Sequence, residues 1–205
     1  MMTTIHAIDD APEPWIEPGA ATQGADTTLR LRSELRRAEA EIARLTAAVA
    51  EAERLADHDP LTGLLNRRGF ERSLTQVLAA CRRYRSEAAL IYLDLDGFKA
   101  LNDRAGHAAG DAALKAVADV LLAGVRESDL AARIGGDEFA VVLLNADRTA
   151  AEAKGRALDL SIERAVKGLA ATFGVRTYET GMGAAQMIAE ADAAMYVRKG
   201  ERKRA

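Results

Sequence analysis

Gly135-Gly136-Asp137-Glu138-Phe139 lies between two apolar stretches, Leu130–Ile134 and Phe139–Leu144, and its reading decides the fold. Two apolar runs joined by so short a polar segment predict strand, tight turn, strand. The glycines allow close backbone approach, and Asp137 and Glu138 are displayed at the turn, where carboxylates can hold a divalent cation. Taken alone, the same residues also describe a solvated hairpin turn. The rest of the chain decides between the two.

Upstream, Ala88–Leu93 is continuously apolar, which suits a central strand. It runs into Leu93-Asp94-Leu95-Asp96. Side chains alternate along a strand, so Asp94 and Asp96 project to one side at its end. A carboxylate there is costly to bury unless it is paired or metal-bound. With this strand beside the hairpin, Asp94 comes near Asp137 and Glu138. Such hard oxygen ligands suit Mg²⁺ when a triphosphate supplies further oxygens. The alternative for Asp94 and Asp96 is a helix cap or a turn. Gly97-Phe98-Lys99 follows: Gly97 lets the chain turn, and the next backbone N–H groups open a short helix whose N-terminus attracts phosphate oxygens. Lys99 either adds charge there or lies in solvent. Asn102, His107 and Asp111 come next. An amide and a carboxylate together can read a guanine edge, the carboxylate accepting from N1–H and the amino group. Equally, Asn102 and Asp111 can serve backbone N–H groups in a capped loop.

Working outward, the chain reads as three segments. Residues 1–28 carry Asp9, Asp10, Glu13, Glu17 and Asp26, no Lys or Arg, and Pro12, Pro14 and Pro18. This composition cannot bury a core and predicts disorder. Trp15 and Ile16 interrupt it, either as a docking motif for a regulatory protein or as part of a mobile tail. Across 29–57, Leu31, Ala38, Leu45 and Ala52 recur every seven residues, as do Leu35, Ile42, Val49 and Ala56. The span has no Gly or Pro. It predicts a parallel coiled-coil helix, hence a homodimer, or else one amphipathic helix packed on its own domain. Within 58–205, helices are predicted over Asn66–Tyr84, His107–Gly124, Ala150–Val166 and Ala184–Arg198. Strands are predicted over Ala88–Leu93, Leu130–Ile134, Phe139–Leu144 and Leu169–Val175. Strands buried by helices predict an α+β sandwich around a mostly antiparallel sheet.

Composition narrows the function classes. The 205 residues suffice for one ordinary domain plus an extension. A content of 49% hydrophobic and 29% charged residues is globular. A net charge of −3 argues against a nucleic-acid partner. No apolar run approaches the roughly 20 residues that span a bilayer, so no membrane partner is expected. The sequence opens Met1-Met2-Thr3-Thr4-Ile5-His6, then turns acidic, and does not read as a secretory signal. Cys81 is the only cysteine, which excludes an intrachain disulfide and argues against a thiol zinc cluster. The cytoplasm fits these features.

Four motifs in order carry a family resemblance over roughly residues 57–203. They are Asp59-Pro60-Leu61-Thr62-Gly63-Leu64-Leu65-Asn66-Arg67-Arg68, Asp94-Leu95-Asp96-Gly97-Phe98-Lys99 with Asn102 and Asp103, Gly106-His107 with Gly110-Asp111, and Arg133-Ile134-Gly135-Gly136-Asp137-Glu138-Phe139. The chain resembles the GGDEF-domain, or diguanylate cyclase, family. The first motif resembles the family's junction between signalling helix and domain.

The resemblance implies a nucleotidyl-cyclase-like, ferredoxin-like (palm) domain behind a coiled-coil helix. Its implied activity joins two GTP molecules into cyclic di-GMP with release of two pyrophosphates. By that likeness Asp94, the Leu95 carbonyl and Asp137 hold Mg²⁺ (or Mn²⁺), and Glu138 is a further ligand or a proton acceptor. Gly97, Phe98 and Lys99 lie at the phosphates, and Asn102 and Asp111, with His107 between them, form the guanine segment. Gly135 and Gly136 let the nucleotide lie against the backbone, and Lys199 reaches the terminal phosphates. Because each subunit holds one GTP, the working unit is a homodimer. Arg126-Glu127-Ser128-Asp129 resembles the family's RxxD inhibitory site, in which Arg126 and Asp129 bind a product dimer; a surface turn with a local Arg–Asp pair is the alternative. Two departures stand out. The family usually follows its last-helix Lys with Gly-Arg-Asn, but Lys199 is followed by Gly200-Glu201-Arg202-Lys203-Arg204, making Lys203 the candidate second phosphate cation. The stretch from Phe139 to Phe173 is also shorter than usual. The rival reading is a catalytically silent module of the same fold that binds GTP or cyclic di-GMP and signals through protein contacts.

Overall fold

Helix α1 (Ala20–Asp57) carries the heptad rows into the domain. The computed structural model describes residues 20–202 and Arg204. The proposed docking motif at Trp15 and Ile16, most of the acidic segment, and Lys203 lie outside the described residues. The helix begins at Ala20 rather than at Leu29, nearer the N-terminus than the heptads require. Ala20, Ala21 and Ala25 are strong helix formers and extend it. The chain divides between Ala50 and Glu51 into two compact units. In the first, Leu31, Leu35, Ile42 and Val49 form an apolar stripe that stands 57–64% exposed along the helix.

The second unit, residues 51–205, is built on a four-stranded sheet of order β2-β3-β1-β4, every pairing antiparallel. Its elements are α2 (Arg67–Tyr84), β1 (Ala88–Asp96), α3 (Phe98–Ala105), α4 (His107–Gly124), β2 (Leu130–Arg133), β3 (Glu138–Leu144), α5 (Arg148–Ala165), β4 (Ala170–Thr177) and α6 (Ala184–Arg202). Strand β1 runs to Asp96, past the predicted end at Leu93. Register with both neighbours carries the polar residues: Asp94 lies opposite Glu138 on β3 and Thr172 on β4. Alternation along β1 sorts the core into two clusters. Ala89, Ile91, Leu93 and Leu95 pack with Leu114, Val117 and Leu121 of α4 and Leu158 and Ile162 of α5. Ala88, Leu90 and Tyr92 pack with Phe70, Leu74 and Leu78 of α2 and Met187, Ala191 and Met195 of α6. The sheet is therefore covered by helices on both faces, which is why β1 reads as an unbroken apolar run.

Residues 58–65, which lead from α1 into α2, are fastened at three points. The Asn66 side chain caps α2 by accepting from the Gly69 N–H at 2.9 Å, and its own amide group donates to the Ala56 carbonyl at 2.9 Å. Asp57 is buried, and its carboxylate pairs with Arg68 and Arg72 of α2. Leu65 bridges to β2 in parallel: its N–H donates to the Ala131 carbonyl at 3.3 Å, and its carbonyl accepts from Arg133 N–H at 2.8 Å. The far edge of the sheet is β4. There Asp159 of α5 accepts from the Ala171 N–H at 2.7 Å, Arg202 of α6 reaches the Ala171 carbonyl at 3.4 Å, and Arg198 of α6 bonds Glu152 of α5 at 3.0 Å.

Candidate active site

The end of β1 gathers acids on the α2–α6 face of the sheet. Asp94 and Glu138 are direct cross-strand partners, and the Leu95 N–H donates to the Asp137 carbonyl at 3.1 Å. Main-chain pairing thus brings together Asp94, Leu95, Asp137 and Glu138, the residues expected at a metal. Asp94 is buried, and the Lys199 ammonium from α6 pairs with it. Burial pulls the Lys199 pKa down, but the bond to Asp94 and the charges of Asp94, Asp96 and Asp137 outweigh it and raise it overall. Lys199 is thus directed at a carboxylate, where the sequence reading aimed it at phosphates, because opposite charges at a half-buried edge pair strongly. Glu138 behaves in the opposite way. Burial, then the charges of Asp192, Asp94 and Asp137, push its pKa up against the pull of Arg67. Asp96 accepts from the Thr172 hydroxyl and from Arg202 at 3.1 Å.

The donor set fits a hard divalent ion in composition, being carboxylate and carbonyl oxygen alone, and the Lys199 ammonium is paired with Asp94. Among the described residues no three Asp, Glu, His or Cys side chains form a ready-made cage.

Arg133 shapes the turn itself. Its guanidinium donates from Nε (3.2 Å) and Nη2 (2.8 Å) to the Gly136 carbonyl, and from Nη1 to both Asp59 oxygens at 3.2 and 3.3 Å. The Ile134 N–H donates to the Glu138 carbonyl at 2.8 Å and closes the hairpin. Neither Gly135 nor Gly136 has positive φ. Gly135 is needed for space instead, since a Cβ there would collide with the Glu138 carboxylate; Gly136 is exposed and open.

Gly97, at φ 87°, turns the chain into α3, and no side chain caps this N-terminus. The Phe98 ring packs on the core and Lys99 is exposed. Asn102 lies on α3, and Asp111 on α4, the helix expected over His107–Gly124. Asn102 Oδ1 is buried without a hydrogen-bond partner and lies where a Cβ on Gly110 would be, while Asp111, the next residue of α4, is exposed. Neither side chain caps a helix. His107 is exposed at the first position of α4.

The Arg126–Asp129 turn lies apart, before β2. Asp129 accepts from the Arg126 N–H and the Leu144 N–H, each at 3.0 Å, so its carboxylate organises backbone. The Arg126 side chain is exposed beside a cavity of about 160 Å³, into which Lys154 also reaches, bonding the Gly124 carbonyl at 2.6 Å.

The sequence alone assigns no role to Arg133, Thr172, Asp192, Arg67 or Arg202, although Arg67 and Arg133 stand within the quoted motifs and Arg202 follows Lys199 by three residues on the same helix.

Comparison with known proteins completes the picture. Residues 56–205 match the family described as diguanylate cyclase, GGDEF domain. The diguanylate cyclase DgcS of Shewanella oneidensis is 36% identical over 152 residues, 69% of this chain and 49% of that one. The solved coiled coil and GGDEF domain of DgcB from Caulobacter crescentus, in complex with c-di-GMP, superposes with a TM-score of 0.76 at 26% identity, over 83% of this chain and 95% of that one. Diguanylate cyclase SiaD of Pseudomonas aeruginosa, solved with its activator SiaC, gives 0.67 at 30% identity, over 89% and 75%. The chain spans between 8% and 49% of the length of the first curated relatives it matches. No helix among the described residues is long and apolar enough to cross a membrane. Acids at the mouth of an antiparallel sheet, the glycine turn beside them and a match over most of the chain agree: this protein belongs to the GGDEF-domain family of diguanylate cyclases.

Proposed function

We propose that this chain condenses two GTP molecules into cyclic di-GMP and releases two pyrophosphates, acting in the cytoplasm as a homodimer. The observation that carries the reading is the register of β1 against β3, which sets Asp94 opposite Glu138 with Asp137 bonded to Leu95.

Asp94, the Leu95 carbonyl and Asp137 would hold Mg²⁺ (or Mn²⁺), with Glu138 beside them. A bound ion offsets charge on the transferring phosphoryl group and helps ionise the attacking hydroxyl. The amides of Phe98 and Lys99 after Gly97 bind phosphate oxygens. Asn102, whose Oδ1 lacks a partner, and Asp111 read the guanine edge, with His107 at the rim. Gly136 offers an open backbone to the nucleotide, and Gly135 leaves room for Glu138. The 3′-hydroxyl of one GTP attacks the α-phosphorus of the other as the bond to pyrophosphate breaks, and the hydroxyl proton passes to Glu138. Its raised pKa suits it to accept that proton. Lys199 leaves Asp94 for the pyrophosphate oxygens, and Lys203 supplies a second positive charge.

Each subunit presents one GTP, so two must face each other. The exposed apolar rows of α1 support a coiled-coil pairing that tethers them. The acidic segment before α1 is then the place for a regulatory protein. Arg126, exposed, and Asp129 form a site for product inhibition by cyclic di-GMP.

Incubating the purified chain with GTP and Mg²⁺ and separating the products tests the reading. Cyclic di-GMP with two pyrophosphates per product supports it. GTP binding without turnover favours the silent module.

A further inference from the structure

Residues 58–65 and the acidic turn are far apart in sequence but share one guanidinium. Arg133 donates two hydrogen bonds to the Gly136 carbonyl, at 2.8 and 3.2 Å, and two to Asp59, at 3.2 and 3.3 Å. We infer that Arg133 is the positioning residue of the acidic turn, and that the Asp59–Arg133 pair couples the lead-in loop after α1 to the aim of Asp137 and Glu138.

The geometry carries this in three steps. First, the Gly136 carbonyl belongs to the peptide plane whose other end is the Asp137 nitrogen. Two bonds from one rigid, planar group fix that plane, and with it the direction in which the Asp137 side chain leaves the backbone. Second, the pair is shielded. The side chains of Arg133 and Asp59 are 14% and 18% exposed, so the contact is not a solvent-screened surface pair of little consequence. Third, Asp59 is itself held in place. Its Oδ1 accepts from the Thr62 N–H at 2.9 Å and from the Thr62 hydroxyl at 2.6 Å. The same loop is tied to the last turn of α1 through Asn66 and to β2 through Leu65. A displacement of the loop therefore moves the guanidinium, and the guanidinium moves the turn. Neither residue touches the reacting atoms; both act through Asp137 and Glu138.

The inference rests on the cyclase reading for its kinetic readout, so the test includes one that does not. In the full chain, Arg133→Ala, Asp59→Asn and the double variant are compared with wild type by amide hydrogen exchange without nucleotide, and by turnover of GTP with Mg²⁺. Expected is exchange at the Ile134–Glu138 amides at least about tenfold faster in Arg133→Ala, with core β1 amides unchanged. Asp59→Asn gives a smaller acceleration at the same amides, and the double variant adds nothing to Arg133→Ala, because both act through one contact. In turnover, kcat falls by roughly 10- to 100-fold while KM for GTP stays within about threefold, since the guanine segment on α3 and α4 is untouched. Wild-type exchange at the turn in Arg133→Ala, a rise in KM with kcat preserved, or additive effects of the two substitutions would each overturn the inference. If Arg133→Ala does not fold, Asp59→Asn, which leaves the guanidinium on Gly136, decides by its exchange at the same amides. Wild type that makes no cyclic di-GMP removes the cyclase reading, while the exchange comparison still decides the coupling.

Discussion

Two turns bracket β2, and each contains an Asp and an Arg used in opposite ways. Before the strand, the Asp129 carboxylate accepts from two backbone N–H groups, and Arg126 extends into solvent. After it, Arg133 serves a backbone carbonyl, and Asp137 and Glu138 make no bond to the backbone of their own turn through their side chains. Where the acid builds the turn, it is committed to structure. Where the cation builds the turn, the acids remain available, and burial, followed by the charges of Asp192, Asp94 and Asp137, raises the pKa of Glu138. The same two residue types thus yield a scaffold on one side of the strand and a candidate reaction centre on the other.

The contrast is broken most directly by Asp137→Ala. Its side chain supports no fold contact, so turnover should fall by at least about 100-fold, roughly 3 kcal/mol, with the melting temperature nearly unchanged. Pyrophosphate release and a thermal melt check this. Asp129→Ala should do the reverse to the fold: two backbone donors lose their acceptor, at a cost of about 1 to 3 kcal/mol, or roughly 2 to 4 °C in melting temperature per kcal/mol. Calorimetry of the two variants side by side would expose the difference, and equal losses of stability would erase it. Arg126→Ala should leave the melt alone and shift the cyclic di-GMP inhibition curve to higher concentration. An unmoved curve would leave this turn purely structural.

The smallest effect concerns pH. A raised native pKa for Glu138 means that protonation favours the folded state. That stability is fully present below the unfolded value of 4.5 and is lost as pH rises through the higher native value. With a chelator present, Glu138→Gln should therefore melt slightly above wild type at neutral pH, and the two curves should converge below about pH 4.5. A gap that persists in acid would locate the effect in packing.

Much of this was legible from local chemistry. The apolar runs located all four strands, and Asn66, the Gly106–His107 step and Gly124 marked helix ends that agree with the structure to within a few residues. Boundaries slipped where tertiary pairing overrode polarity, as in the polar end of β1, carried by its two neighbours. The acids of the candidate site were readable because they sit at strand ends flanking a turn. Their partners were not. Lys199 and Arg202 meet Asp94 and Asp96 across more than a hundred residues, and Asp59 meets Arg133 across 74. No periodicity or spacing encodes a contact between side chains brought together only by the closing of the sheet. The buried Oδ1 of Asn102 was equally invisible, because it depends on how α3 leans on Gly110.

The treatment of the sheet's two margins has a consequence for assembly. Along β2 the Leu65 bridge occupies hydrogen-bonding positions, and along β4 the Asp159 and Arg202 side chains engage both polar groups of Ala171. A rim dressed in this way is a poor template for strand recruitment from another copy, which guards against aggregation when the chain is crowded.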